Sequence, residues 1–159
     1  MAALAVLRPD RLDGALDLIA CAGRSLEAAH LARTVPERSA GTKLGVLRAA
    51  AAVLCVRGRP PRTQGSARPS GGPLDVWQLL PRVAPELTEW AQFFSAVLPE
   101  GGSRPAATAT MSVREADDLL RQGEDFVGIV AGLLGLPPVS VRGDLVPITG
   151  PAAEGGQVW

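Results

Sequence analysis

Apolar residues recur at helical spacing along four stretches of the chain, and almost no stretch alternates apolar and polar residues as a strand would. The first predicted helix begins after Asp10, whose carboxylate can cap it, and runs to about Ala32. Steps of four and three residues place one stripe along this helix: Leu12, Leu16, Ile19, Gly23, Leu26 and His30. His30 therefore falls at the end of the predicted buried face.

A second helix is predicted to begin near Pro36, which suits a first helical turn, and to run to about Arg57. Thr34 or Val35 would lie just outside its start. Four consecutive alanines, residues 49–52, combine high helix propensity with little bulk, so another helix can pack closely there. The predicted apolar face consists of Leu44, Leu47, Ala51, Leu54 and Cys55.

The second half of the chain predicts two more helical regions. In "PLDVWQLLPRVAPELTEWAQFFSAVL", two prolines, Pro81 and Pro85, predict a kink or a short helix followed by a longer one. Its large side chains predict the main core or a dimer face: Trp77, Leu80, Leu87, Trp90, Phe93 and Phe94. The last helix opens with "SVRE", where Ser112 and Glu115 predict a capping box. Its apolar stripe consists of Ala116, Leu119, Leu120, Gly123, Val127, Val130 and Leu134.

Glycine and proline cluster between these helices, at residues 58–73 and 99–111, and again after residue 135. The 159 residues are 47% hydrophobic, which is enough for one core. We therefore predict an all-α domain with flexible connections between its helices. Residues 136–159 are expected to form a disordered tail or a short partner-binding segment.

The charge is balanced overall but differs between the two halves of the chain. Residues 1–68 carry 11 basic and 5 acidic side chains, whereas residues 69–159 carry 5 basic and 11 acidic ones. This asymmetry permits a basic face for a polyanion or head-to-tail attraction between two molecules, and ordinary solvated helices produce the same sum. The arginines of "GRPPRTQGSARPSGGP" fit either a plain linker or a weak, salt-sensitive contact with phosphates.

The cysteines and the apolar stretches indicate a cytoplasmic protein without a bound metal or cofactor. Cys21 and Cys55 form no CxxC pair, and cysteine and histidine are too few for a zinc site. We expect two small buried thiols in a reducing compartment. The N-terminus lacks a basic region typical of signal peptides, and "FVGIVAGLLGLPPVSV" is too short to span a membrane.

The only histidine, His30, stands six residues after Arg24. At about 100° per residue, their side chains lie about 120° apart around a regular helix, so both cannot reach one phosphate. The last helix carries two pairs of adjacent acids: Asp117 with Asp118, and Glu124 with Asp125. Adjacent acids on a helix point in different directions and no histidine accompanies them, which favours a solvated face over a metal site.

Three blocks, "PERSAGTKLGVLRAAAAVLCVRGRP", "VWQLLPRVAPELTEWAQFF" and "SVREADDLLRQGEDFV", together resemble an actinobacterial family of HEPN domains. The resemblance covers roughly residues 10–135 and implies that they form a HEPN-like bundle of four to five helices. Many HEPN domains are metal-independent endoribonucleases that dimerise through the bundle. Their motif is an arginine followed, after four to six residues, by a histidine. The histidine moves the 2′-hydroxyl proton, and the arginine stabilises charge on the attacked phosphate.

In this family the motif is expected at the start of the second helix, where "ERSAGTK" stands. Arg38 is present, but Lys43 occupies the position five residues later. A lysine side chain is protonated at neutral pH and makes a poor general base, although it can hold a phosphate as a point charge.

We therefore expect a non-catalytic HEPN-like module that binds RNA or a protein partner in stress response or defence. Phosphate contacts are predicted for six basic residues: Arg38, Lys43, Arg48, Arg57, Arg59 and Arg62. One alternative is a weak metal-independent endoribonuclease that uses Arg24 and His30. Another is a purely structural homo-oligomer, for example a homodimer through the Trp- and Phe-rich helices.

Overall fold

The computed structural model describes residues 9–58, 75–98 and 111–137. These ranges contain helices and no strand, which confirms the all-α fold. Within them the chain forms five α-helices and one 3-10 turn, in the order α1 (Pro9–Leu31), α2 (Val35–Arg57), α3 (Val76–Val83), the turn Pro85–Leu87, α4 (Thr88–Val97) and α5 (Val113–Leu133).

Helix α2 is the centre of the bundle, because it packs against α1, α3 and α5. Of the two residues predicted to lie just outside α2, Thr34 is its N-cap, with a side-chain oxygen that accepts from the backbone N–H of Glu37, whereas Val35 is its first residue. By length and composition alone α2 could cross a membrane, and half of its apolar window is buried inside the bundle.

The buried face of α1 differs from the predicted one. Leu16 is 39% exposed, and His30 also lies at the surface, so the predicted stripe is wrong at these two positions. The helix begins at Pro9, which puts Asp10 inside the first turn rather than at the cap. The face is set by small residues that let α1 approach the alanine-rich α2 closely, with Ala15, Ala22 and Ala29 fully buried among larger side chains.

The buried face of α2 also differs from the predicted one, because small residues again form the close contact between the helices. Leu44, predicted as a core residue, is 45% exposed, whereas two small polar residues, Ser39 and Thr42, are buried. Each hydroxyl donates to a carbonyl one turn earlier at 2.9 Å, so burial leaves neither group unpaired. The residues that α2 does bury among its neighbours are mainly Val46, Ala49, Ala50, Ala52 and Val53.

Aromatic rings from α3, α4 and α5 form one end of the core. Trp77 stacks on Phe94 with ring centroids 5.2 Å apart, and Phe126 meets Phe94 edge-on at 5.1 Å. The predicted short helix followed by a longer one is confirmed, and the break lies at Pro85, which opens the 3-10 turn after α3 ends at Val83. Pro81 lies inside α3. Phe93, predicted to join the core, is 37% exposed at its edge.

Helix α5 follows its predicted pattern closely. The capping box between Ser112 and Glu115 is present, and these contacts hold the pKa of Glu115 below its ordinary value. The stripe from Ala116 to Val130 is buried, together with Phe126, which the prediction left out. The predicted loops and the tail after residue 137 lie outside the described residues.

A glycine allows α5 to approach α2. A Cβ atom at Gly123 would lie 2.9 Å from Cγ2 of Thr42 and 3.3 Å from Cγ1 of Val46. Both neighbours are fully buried, and rotation of Thr42 would break its hydroxyl hydrogen bond. Gly123→Ala is therefore expected to lower the free energy of unfolding by about 1–3 kcal/mol, measured by urea denaturation followed by circular dichroism.

Gly128→Ala on the same helix is the matched control. A Cβ atom there would meet nothing within 4 Å. Because alanine has the higher helix propensity, this substitution is expected to raise the free energy of unfolding by about 0.5–1 kcal/mol. Equal stabilisation by both substitutions would show that the helices are not closely packed at Gly123.

Candidate functional site

The lone histidine and the arginine of the HEPN-like position meet in one cleft. A cavity of about 190 Å³ is lined by His30 at the end of α1, Arg38 near the start of α2, and three residues of α5, namely Asp117, Leu120 and Arg121. The cleft forms because the short connection between α1 and α2 lies beside the N-terminal half of α5. The histidine and the arginine therefore come from two different helices.

Arg38 is held by three acceptors inside the molecule. Its Nε donates to the carbonyl of Ala29 at 3.3 Å, and one terminal nitrogen donates to the carbonyl of Ala32 at 2.9 Å. Its other terminal nitrogen forms an ion pair with Asp117. The two carbonyls belong to the C-terminal end of α1, where helices leave acceptors unsatisfied. Arg38 thus caps α1 and ties both N-terminal helices to α5.

His30 is bound in a parallel way. Its Nε2 is in hydrogen-bond contact with Oε1 of Glu124, and its side chain is 41% exposed. Asp117 and Glu124 stand seven residues apart, about two helical turns, so they project from the same side of α5. Helix α5 therefore supplies one carboxylate for the imidazole and another for the guanidinium.

The third basic group of the cleft is paired more loosely. Arg121 lies 3.5 Å from Asp118, and both side chains are largely exposed. Asp118 follows Asp117 and therefore projects about 100° away from it around α5. Within the cleft the guanidinium groups of Arg38 and Arg121 thus face two carboxylates, Asp117 and Glu124, and these four charges cancel.

The cleft does not include Arg24, the residue that the endoribonuclease alternative pairs with His30. Arg24 is exposed and donates to the sulfur of Cys21 at 2.9 Å. This agrees with the angular separation of Arg24 and His30 along α1 and removes the basis for that pair. The two cysteines are free, and both are partly buried, less than the predicted buried thiols would be.

The predicted phosphate ligands on α2 do not form one cluster. Arg48 donates to the carbonyl of Cys21 at 3.1 Å and to the hydroxyl of Ser25 at 2.6 Å, and so clamps α2 to α1. Ten residues, or about 15 Å of helix, separate it from Arg38. Arg57 pairs with Glu86 at 2.5 Å. A phosphate-binding role for these residues stays a prediction.

The remaining predicted ligands add little to such a cluster. Lys43 is partly exposed on a different side of α2 from Arg38, since five residues correspond to about 140° around the helix. Arg59 and Arg62 lie outside the described residues. Among the residues that the structure describes, no group of three or more His, Cys, Asp or Glu side chains is arranged to hold a metal ion.

Sequence reasoning missed the part that α5 plays in the cleft. Asp117 and Glu124 were predicted to be solvated, whereas both have cationic or imidazole partners on α1 and α2. Their seven-residue spacing was the available signal, because it places two carboxylates on one side of a helix that also carries a strong apolar stripe.

A second cavity, of about 480 Å³, lies between α4 and α5. Its walls are mainly apolar, from Phe93, Val97, Met111 and Leu119, and its polar residues are Glu115, Asp118 and Gln122. We call it the α4–α5 groove. It opens on the side of α5 away from the histidine cleft.

Comparison with known families and proteins gives one match. The model of the SAV_6107-like HEPN family matches residues 29–131, which include both sides of the histidine cleft and the α4–α5 groove. Neither the curated proteins nor the solved structures contain a match. The match spans well over half of the chain, and the helical bundle agrees with it, so the chain belongs to the HEPN domain family.

Proposed function

We propose that this HEPN domain is a non-catalytic binding module and that its partner is a protein. One observation carries the proposal: the two groups suited to phosphodiester chemistry, the imidazole of His30 and the guanidinium of Arg38, are each bound by a carboxylate of α5. The same contacts join the helices of the bundle. In this chain His30 and Arg38 therefore stabilise the packing of the helices.

Cleavage of RNA requires both groups to face the substrate. A general base must reach the 2′-hydroxyl proton, and the cation must lie against the oxygens that gain charge. Here three N–H groups of Arg38 already donate to acceptors within the molecule. A phosphate would also approach a cleft with no net positive charge, which disfavours a polyanion.

A protein partner fits the rest of the described surface better than RNA does. Three of the basic residues predicted to hold phosphate have internal partners, whereas the larger of the two cavities is apolar with an acidic rim. Most of the Trp- and Phe-rich surface is buried within the chain, which leaves little of it for a homodimer. We propose a cytoplasmic location for this module, and its two free cysteines support that proposal.

A second candidate function is RNA cleavage by His30 together with Arg38. The observation that favours it is their shared cleft, where Glu124 could orient the imidazole. Such a site would draw its arginine from α2, in the place where the family resemblance puts it, and its histidine from α1.

Incubation with labelled single-stranded RNA in a chelating buffer decides between the two candidates. The wild-type protein is expected to cleave no more RNA than the His30→Ala variant does. Because Arg24 is exposed and lies outside the cleft, Arg24→Ala is the matched control. Cleavage by the wild type that is lost in His30→Ala and Arg38→Ala, but kept in Arg24→Ala, would overturn the proposal and establish a nuclease.

A further inference from the structure

We propose that the α4–α5 groove binds a basic amphipathic helix of a partner protein, through an apolar floor flanked by carboxylates. This inference rests on the proposed function as a protein-binding module and names the site and the chemistry of its partner. It concerns a different surface from the histidine cleft, so each can be tested without the other.

The floor of the groove offers an apolar anchor point. Phe93 is 37% exposed, although it touches the aromatic cluster through Phe94 at 5.1 Å between ring centroids. Val97 lies one turn further along α4, and Leu119 faces both from α5. A volume of about 480 Å³ is enough for a few large side chains of a partner. An exposed aromatic beside such a cavity is typical of sites where one or two residues anchor a partner.

Further along α5, the side of the helix that lines the groove carries one more exposed apolar residue, Ile129. At about 100° per residue, Glu115, Asp118, Gln122 and Ile129 lie within about 60° of arc on α5. Ile129 is 43% exposed. Helix α4 has 10 residues and α5 has 21, so α4 covers only part of this side. The span from Glu115 to Ile129 is about 21 Å, the length of a helix of about 14 residues.

The charge of the rim selects the partner. The polar residues that line the groove include the carboxylates of Glu115 and Asp118, and none of its described lining residues is basic. Glu89 does not line the groove, but it is exposed one turn before Phe93 on the same side of α4 and adds a negative charge near it. Arg121 reaches Asp118 only at 3.5 Å and from the solvent side. Lysine or arginine residues beside an apolar stripe complement this arrangement, whereas nucleic acid is repelled by it.

Two designed peptides test the inference. Each has 14 residues with leucine at helical spacing; one carries lysine at the other positions and the second carries glutamate. Fluorescence anisotropy of the labelled peptides with the full chain is expected to show micromolar binding of the Leu/Lys peptide and none of the Leu/Glu peptide. Phe93→Ala and Asp118→Lys are each expected to weaken binding of the Leu/Lys peptide by at least about tenfold.

Asp13→Lys is the matched control for charge, because Asp13 is exposed on α1 and makes the same change of two units away from the groove. It is expected to leave the affinity within about twofold, since exposed charges at a distance are largely screened. Circular dichroism checks that each variant keeps the helical content of the wild type.

Three results would overturn the inference. Equal affinity for both peptides would show that charge does not select the partner. An equal loss from Asp13→Lys and Asp118→Lys would show that the peptide responds to overall charge and not to the groove. A dimer in sedimentation experiments that dissociates on Phe93→Ala would make a second copy of this chain the occupant. The RNA assay is independent of all three, so failure at the groove would not be confused with nuclease activity.

Discussion

The double substitution Asp117→Asn/Glu124→Gln is expected to make the protein bind single-stranded RNA, which the wild type should bind only weakly. It removes the carboxylates that hold Arg38 and His30 and raises the charge of the cleft by two units. A guanidinium released from its carboxylate can form charge-assisted hydrogen bonds with a phosphate, worth about 1.5–3 kcal/mol. We expect an increase in affinity of about tenfold at low salt, measured by fluorescence anisotropy with labelled RNA.

The salt dependence of binding checks the cause of this gain. Each phosphate newly contacted should steepen the slope of log affinity against log salt concentration by about 0.7. Asp13→Asn/Glu27→Gln makes the same charge change at two exposed positions of α1 and is expected to produce a much smaller gain. If this control matched the cleft variant, overall charge would explain the result. If the wild type already bound as tightly, the carboxylates would not be blocking the cleft.

The cleft also shows where prediction from sequence stops. Most helix ends were predictable because their signals are local: Thr34 directly precedes α2, Pro85 separates α3 from α4, and Ser112 caps α5. The roles of Asp117 and His30 could not be predicted in this way, because they depend on contacts between helices that are far apart in sequence. Each helix taken alone predicts a solvated acid and a core-edge histidine, and only the packing of α1 and α2 against α5 pairs them.

The buried faces of α1 and α2 were harder to predict for a related reason. The apolar pattern gives most weight to large residues such as Leu16 and Leu44, yet both are exposed. Where two helices pack closely, the smallest side chains form the contact, because a bulky residue there would hold the two backbones apart. Residues such as Ala29 and Gly45 therefore lie at the interface, where a Cβ at Gly45 would come within 2.9 Å of Leu26. Residue size determined these faces more than hydrophobicity did.

Phe126→Ala is expected to cause the largest loss of stability of any single substitution considered for this chain. Phe126 is fully buried, and its ring meets Trp77, Trp90 and Phe94 at centroid distances of 6.3, 5.6 and 5.1 Å. Removal of the ring leaves a cavity where three helices meet, which costs about 3–5 kcal/mol. Domains are stable by only about 5–15 kcal/mol, so the variant should be partly unfolded at modest urea concentrations.

Phe93→Ala is the control at the edge of the same cluster. Phe93 also contacts Phe94, but its side chain is partly in solvent, so its removal exposes less new apolar surface and opens no enclosed cavity. We expect the free energy of unfolding to fall by about 1 kcal/mol, measured from the midpoint of urea denaturation by far-ultraviolet circular dichroism. Similar losses for the two variants would mean that Phe93 belongs to the core. A small loss at Phe93 leaves this residue free to serve the groove, because a side chain that contributes little to folding can be selected for what it binds.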